Sequence, residues 1–267
     1  MIRDITIGQY YPAKSVIHKL DPRTKLFGTL VFIISVFLFH SIAGYAVATV
    51  FLAGMILIST VPVKFIFKGL KAIFMILLIT MVFNIFLTPG EALVSFGIFK
   101  ITKEGLSMAV RMAIRLVYLV IGSSLMTLTT TPNQLTDGLE KSLRPLNKIH
   151  VPVHEIAMMM SIALRFIPIL LEETDKIMKA QIARGADFEN GNLIQKVKNM
   201  VPLLVPLFIS AFRRANDLAM AMEARCYRGG EGRTKMKPLQ YKKRDYLAYG
   251  MLVLYLILIV AEKLVLE

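Results

Sequence analysis

Two arginines stand out for their surroundings: Arg184 within Ala183-Arg184-Gly185, and Arg225 within Ala224-Arg225-Cys226. Each has an alanine before it and a small residue after it, so a guanidinium projects with little bulk beside it. Five donors in a rigid fork suit a carboxylate-lined groove on another protein. A helix-dipole or lipid-phosphate contact would account for one such arginine. Two in the same setting favour docking onto two equivalent sites. The offset that carries Arg184 onto Arg225 also carries Ile177 onto Leu218, Ala180 onto Ala221 and Ala183 onto Ala224, a weak internal repeat. The same offset sets Glu172 and Glu173 against Arg213 and Arg214, opposite charges expected to pair where two helices cross.

Other arrangements that could do chemistry fall short. The stretch from Gly229 to Lys235 is glycine-rich but lacks the Gly-Lys-Ser/Thr ending of a phosphate loop. His150 and His154 could share a metal only on one helix, and Pro152 stands between them. The one cysteine, Cys226, excludes an internal disulfide, and no Cys/His cluster has zinc spacing. Serine- and threonine-rich patches have no base beside them to activate a nucleophile. The chain therefore reads as a non-enzyme, with no catalytic residue, cofactor or metal of its own.

The elements that position the arginines belong to a membrane protein. Of 267 residues, 55% are hydrophobic and 19% charged, against about a quarter charged in soluble domains. The stretch between Lys25 and Lys64 contains no Asp, Glu, Lys or Arg, and is long enough for two spans and too long for one. Five spans are expected, at roughly 26–41, 44–61, 72–89, 106–130 and 246–263, the first two reversing at His40-Ser41 near Gly44. The last has a short uncharged run, which snorkelling of Arg244 and Lys263 lengthens. No Asp or Glu lies in the first three spans or in the run Tyr246–Ala261, so an acidic proton or sodium relay is missing. Energy then has to come from another chain. Arg111 and Arg115, one helical turn apart, read first as an interfacial anchor or internal pair, and second as a contact with a partner subunit.

The net charge of +14 sits beside apolar blocks rather than on an aromatic-lined soluble face, so nucleic acid is not an expected partner. Five basic residues precede the first span, Lys64, Lys68 and Lys71 follow the second, and 131–244 holds nineteen against eleven acidic ones. The intervening connections are neutral or balanced. The positive-inside rule then puts the N-terminus and 131–244 in the cytoplasm and the C-terminus outside. The segment 1–25 lacks the short apolar core of a removable signal peptide. The expected organisation is all-α: a cytoplasmic segment (1–25), four spans (26–130), a cytoplasmic module of about three helices (131–244), and a last span (245–267).

In the module, Thr131-Pro132 starts a short helix running to about Arg144. A second helix runs from about Val153 to Ala183 and ends at Gly185. After a turn at 189–192, a third runs from about Leu193 to Arg225, bent by Pro202 and Pro206. Each long helix opens with an apolar half, 156–171 and 200–212, too short and interrupted to span. Such halves suit helices beneath the membrane or under partner helices. Met158, Met159 and Met160, with Leu204 and Phe208, are candidates for a face that repacks against a membrane partner; as plain core they would need no partner.

These motifs resemble the transmembrane T component of energy-coupling-factor transporters. The resemblance covers essentially the whole chain. It rests on Ser15 to Lys25 (SVIHKLDPRTK), on Thr131-Pro-Asn-Gln-Leu135, and on the two Ala-Arg-small tripeptides. It implies a subunit in a prokaryotic cell membrane that bridges two ATP-binding-cassette ATPases, expected as a heterodimer, to one small substrate-binding membrane subunit, the S component. The motif arginines, here Arg184 and Arg225, would enter grooves on the ATPases, which alone bind ATP. The apolar helix faces would hold the S component, whose reorientation releases a vitamin or metal inward. The long N-terminal motif looks more like a T component shared by several vitamin-binding subunits. Cys226 departs from the commoner glycine, which questions the helix ending there more than the role of Arg225. Competing readings are a conventional ABC permease, which needs one coupling site per chain, and a membrane lipid-modifying enzyme, which needs paired interfacial carboxylates.

Overall fold

The computed structural model describes residues 10–39, 41–96, 99–188, 192–230 and 236–266. Its elements are helical apart from one short hairpin: α1 (Pro22–Leu38), α2 (Ile42–Ser59), α3 (Val63–Leu87), β1 (Ala92–Phe96), β2 (Phe99–Thr102), α4 (Lys103–Thr129), α5 (Pro132–Leu143), α6 (Val153–Ala183), α7 (Leu193–Ala224) and α8 (Lys243–Leu266). His40 in the expected first reversal, most of the turn expected at 189–192, and the glycine-rich stretch beyond Gly230 lie outside the described residues.

Two compact units result. One comprises Gly8–Lys141 with Leu239–Glu267, and the other holds Ser142–Pro238. In the first unit, α1 packs on α4 and α8, α2 on α8, and α3 on α4. The buried centre joins Phe32, Val36, Phe39, Ala48, Leu52, Tyr118, Tyr255 and Ile259. Tyr45 belongs to the same cluster, and its buried hydroxyl has no hydrogen-bond partner among the described residues, whereas other hydroxyls there pair internally. Ser35 Oγ and Tyr255 Oη lie 2.8 Å apart, and the Thr49 hydroxyl meets that of Tyr118. The outward faces stay apolar and exposed, among them Phe74, Ile79 and Phe83 of α3 and Leu254 and Ile257 of α8. The helices α2, α4, α6 and α8 are long and apolar enough to cross a membrane. Helix α3 joins them if its two segments, meeting at 57° between Lys71 and Ile73, form one span.

The structure departs from the sequence reading in three places. Helix α3 begins at Val63, so the chain carrying Lys64, Lys68 and Lys71 is helix and not loop, but it bends by 57° between Lys71 and Ile73, and its Ile73–Leu87 segment starts where the span was expected. Ammonium groups on long stems tolerate that position by snorkelling. The segment after α3 forms the β1–β2 hairpin, antiparallel with Phe96 opposite Phe99. Helix α6 has a window as apolar as a span despite Arg165, so its apolar part is not too short, as expected, to cross a bilayer. Arg115 stacks its guanidinium 5.3 Å from the Phe37 ring centre, an internal use, while Arg111 is exposed.

Side chains close the helix starts. The Asp21 carboxylate accepts from the Arg23 N–H at 2.9 Å with Pro22 at the first helical position. Thr131 and Gln134 exchange reciprocal bonds at 3.3 Å, a capping box for α5. Asp245 does more: Oδ2 accepts from the Lys242 N–H at 2.8 Å, capping α8. Oδ1 accepts from the Asp21 N–H at 2.7 Å and the Thr24 hydroxyl at 3.3 Å. One buried carboxylate thus ties the starts of α1 and α8 together. Lys25 adds the end of α4, its ammonium donating to the Thr129 carbonyl at 2.7 Å. The starts of α1 and α8 and the end of α4 therefore share one end of the bundle. The chain leaves this unit at Lys141 and re-enters at Leu239 side by side, Lys141 Nζ donating to the Leu239 carbonyl at 3.0 Å.

The N-terminal segment docks at that end. His18 Nε2–H donates to the Tyr11 carbonyl at 3.0 Å, and Nδ1 accepts from the Ser15 hydroxyl at 2.7 Å. Burial lowers the His18 pKa below its usual 6.5, more strongly than the Tyr11 bond raises it, and the Lys25 charge lowers it further. Asp21 also sits below its usual range: burial works against this, but the hydrogen bonds and charge of Arg23 prevail. For a histidine with a depressed folded pKa, the stabilising contribution is complete above 6.5 and is lost as pH falls through the folded value. The protection factors of the amides in residues 15–20, observed exchange compared with the intrinsic rate at each pH, should therefore fall as pH drops from about 7 to about 5. In His18→Gln, which keeps a donor but does not titrate, that fall should disappear.

Candidate functional site

The sequence sets both motif arginines at helix ends, and the structure shows how each end is made. Helix α6 closes with Gly185 at φ +87°, its N–H donating to the Ile182 carbonyl at 2.9 Å and the Ala186 N–H to that of Gln181 at 3.0 Å. Helix α7 closes with Cys226 at φ +55°, its N–H donating to the Glu223 carbonyl at 2.8 Å and the Tyr227 N–H to that of Met222 at 3.0 Å. Both are the same Schellman ending, residue for residue. Arg184 and Arg225 occupy the equivalent last position, with near-identical backbone (φ −88°, ψ 6° and φ −93°, ψ 13°). The Ala-Arg-small signature has a physical reading: alanine ends the helix, and the small residue takes the left-handed conformation. Gly185 does so freely. Cys226, exposed and with a Cβ, holds the same turn at a cost of about 1–2 kcal/mol. Both arginines are exposed, and among the described residues neither guanidinium has a hydrogen-bond or ion-pair partner.

The two helices pack against each other. Arg214 Nη2 donates to Glu173 Oε2 at 2.8 Å, a pair separated by the repeat offset that relates the two arginines. Glu172 and Arg213 do not join it and are exposed. Gln181 Nε2 donates to the Pro202 carbonyl at 3.3 Å. That carbonyl needs an outside donor, because its helical partner would be the nitrogen of Pro206, which carries no hydrogen. Asn199 donates to the Asp187 carbonyl. Residue numbers rise on one helix as they fall on the other, so the pair is antiparallel. Gly230, beyond the end of α7, accordingly lies against His154 near the start of α6.

This direction separates the two arginines. Arg184 lies one turn beyond Gln181, which is level with Pro202. Arg225 stands at the far end of α7, the whole run from Pro202 onward away. At about 1.5 Å per residue along that run, the two guanidinium groups stand on the order of 35 Å apart, at opposite ends of one helix pair.

Between them α7 presents an apolar stripe. Val201, Leu204, Val205, Phe208, Ile209 and Phe212 recur at helical spacing and are substantially exposed. They line an open groove with Arg213 and Asn216 at its margin. Met159 and Met160 of α6 are exposed and Met158 is half-buried. His150 adopts φ +62° outside any α-helix, so it does not share a helix with His154. Among the described residues no group of three His, Cys, Asp or Glu side chains could hold a metal. The contribution that sequence reasoning missed is Gln181, a helix-surface glutamine whose partner exists only once the two helices meet.

Comparison with known proteins agrees over nearly the whole length. The sequence model of the family described as cobalt transport protein, CbiQ, matches residues 13–236. The energy-coupling factor transporter transmembrane protein EcfT of Clostridium kluyveri is 61% identical over 93% of both chains. Those of Ruminiclostridium cellulolyticum and Bacillus subtilis are 56% and 50% identical, over 96% and 92% of this chain and 96% and 93% of theirs.

The helix pair and its endings have measurable consequences for stability. The half-exposed Glu173–Arg214 pair should contribute about 0.2–1 kcal/mol. Glu173→Arg or Arg214→Glu alone should lower the unfolding temperature and the double swap should restore it, whereas the same exchange at Glu172 and Arg213 should change little. Cys226→Gly should relieve the left-handed strain and raise the unfolding temperature, while Cys226→Val should lower it.

Proposed function

The chain belongs to the family of energy-coupling factor transporter transmembrane proteins, and from that premise we propose that it couples two separate ATPase subunits to a substrate-binding membrane subunit. The observation carrying this reading is the pair of exposed arginines, without partners among the described residues, in identical helix endings set far apart on one stiff helix pair. A guanidinium at such an end offers its donors to a carboxylate groove without competition from its own chain. Two equivalent ends, on the order of 35 Å apart, suit two ATPases, one on each arginine.

The exposed stripe of α7 and the methionines of α6 supply the second contact. Leu204, Phe208, Met159 and Met160 form apolar surface that a soluble face would not keep, and it suits a hydrophobic membrane subunit. A nucleotide-driven movement of the ATPases would shift the two arginines. The helix pair would carry that shift to its apolar face, and the bound subunit would reorient to release its cargo. Vitamins are the cargo class we favour. The protein's own side chains hold no ATP in this scheme. The N-terminus and the helices α6 and α7 are assigned to the cytoplasm and the C-terminus to the outside, following the distribution of Lys and Arg. The shared end of α1, α4 and α8 is consistent with five spans.

In proteoliposomes containing the assembled transporter, Arg184→Ala and Arg225→Ala should each reduce ATP-driven uptake, and the double variant should abolish it. A desolvated charge-assisted contact of this kind contributes about 2–5 kcal/mol, so each single loss should also weaken ATPase retention by more than tenfold. Normal uptake by the double variant would overturn the coupling role.

A further inference from the structure

A cavity of about 200 Å³ opens in the first unit between α1, α2, α4 and α8. Its lining is almost wholly apolar except at one end, where Lys25, Thr129 and Arg244 stand. The other end is closed by Phe32, Leu52 and Gly122. The side is not closed: Leu247 and Met251 border it and are largely exposed. From Lys25 to Phe32 the crevice follows two turns of α1, about 10 Å of helix. That is most of one leaflet's hydrocarbon depth, about 15 Å. An apolar space of this size stays dry and accepts hydrocarbon. A helix, about 10 Å across, is too wide for it.

The polar end says what the hydrocarbon is attached to. The Lys25 ammonium is taken up by the Thr129 and His18 carbonyls. Asp21 is paired with Arg23, and Asp245 accepts from Asp21, Thr24 and Lys242. Arg244 alone among these charges has no partner within the described residues, and it follows the exposed Lys242 and Lys243. An unpaired guanidinium at the mouth of an acyl-length crevice, beside two further cations, complements a phosphate. We propose that this crevice holds one acyl chain of an anionic phospholipid, with the lipid phosphate on Arg244. The lipid would fill the gap between α1 and α8 at the end where the N-terminal segment docks.

The test uses the full chain in nanodiscs of equal phosphatidylglycerol and phosphatidylcholine, followed by gentle detergent extraction and native mass spectrometry. Wild-type protein should retain phosphatidylglycerol over phosphatidylcholine by roughly fivefold, the weight of one cation at an anionic lipid. Arg244→Gln should bring that ratio close to one. Gly28→Leu should reduce retention of both lipids, because a side chain there enters the crevice. A Cβ at Gly28 meets only Leu252 Cδ1, at an ordinary 3.7 Å, so the backbone tolerates it. Leu252→Phe is a second filling variant, and thermal unfolding in lipid-free detergent confirms that both fold. Lysophosphatidylglycerol should compete, whereas glycerol phosphate should not. Equal retention of the two lipids by wild-type, an unchanged ratio in Arg244→Gln, full retention in both folded filling variants, or displacement by glycerol phosphate alone would overturn the proposal. Arg184→Ala should leave lipid retention unaltered, which separates this test from that of the coupling role.

Discussion

A peptide group in hydrocarbon has no water to turn to, so every place where a helix stops must be closed by the chain itself. This constraint explains where the polar side chains of the protein are spent. Asp245 receives the N–H groups of Lys242 and Asp21 and the hydroxyl of Thr24, closing two helix starts at opposite ends of the sequence. Lys25 reaches the carbonyl of Thr129 where α4 runs out. Thr102 caps α4 through the Gly105 N–H and donates to the Thr88 carbonyl just past the end of α3. Each bond that satisfies an orphan group also fixes one helix end against another. The starts of α1 and α8 and the end of α4 are held together by these bonds.

In the second unit, assigned to the cytoplasm on the proposed reading, the helix ends are closed by backbone turns instead. Gly185 and Cys226 turn into the left-handed region so that the last carbonyls of α6 and α7 find N–H donors. Because those carbonyls are satisfied by backbone, neither arginine has to fold back to serve them. The guanidinium groups are left exposed by construction, and on the proposed reading that freedom is what a docking group requires. A left-handed cysteine held at a cost is also informative. The turn is kept even where its residue does not favour it, so the geometry of the ending matters more than glycine itself.

Local chemistry was legible in the sequence wherever one residue decides an outcome. Thr131-Pro132 and Pro152 mark helix starts, Gly185 marks an end, and the structure begins and closes its helices there. The repeat offset anticipated Glu173 with Arg214, because in an antiparallel pair repeat-related positions come level at one place only, and that place falls here. Three features escaped. The helical segment Val63–Lys71 was hidden because Lys64, Lys68 and Lys71 look like a connection, although the bend that follows it falls at the expected start of the span. The β1–β2 hairpin was passed over, although Gly97 is the first of the two residues between Phe96 and Phe99, a position where two-residue hairpin turns favour glycine. The Asp21–Asp245 bond joins the two ends of the chain, and nothing in the pattern of either segment refers to the other.

On the proposed reading the helix pair transmits movement and must be stiff, yet α6 carries Pro168 and α7 carries Pro202 and Pro206. A proline inside a helix frees the carbonyl four residues back, and a freed carbonyl is where a helix bends. In α7 the carbonyl freed by Pro206 is that of Pro202, and Gln181 from α6 donates to it. The weak point of one helix is thus closed by the other, so bending α7 there also requires breaking a contact with α6. The break lies beside the exposed stripe of Val201, Leu204, Val205 and Phe208, and one turn of α6 from Arg184. The apolar face and the nearer arginine are therefore linked through one hydrogen bond across the pair. On the proposed reading, displacement at the arginine would reach the apolar face through this joint, stiff while the bond holds and pliable once it opens.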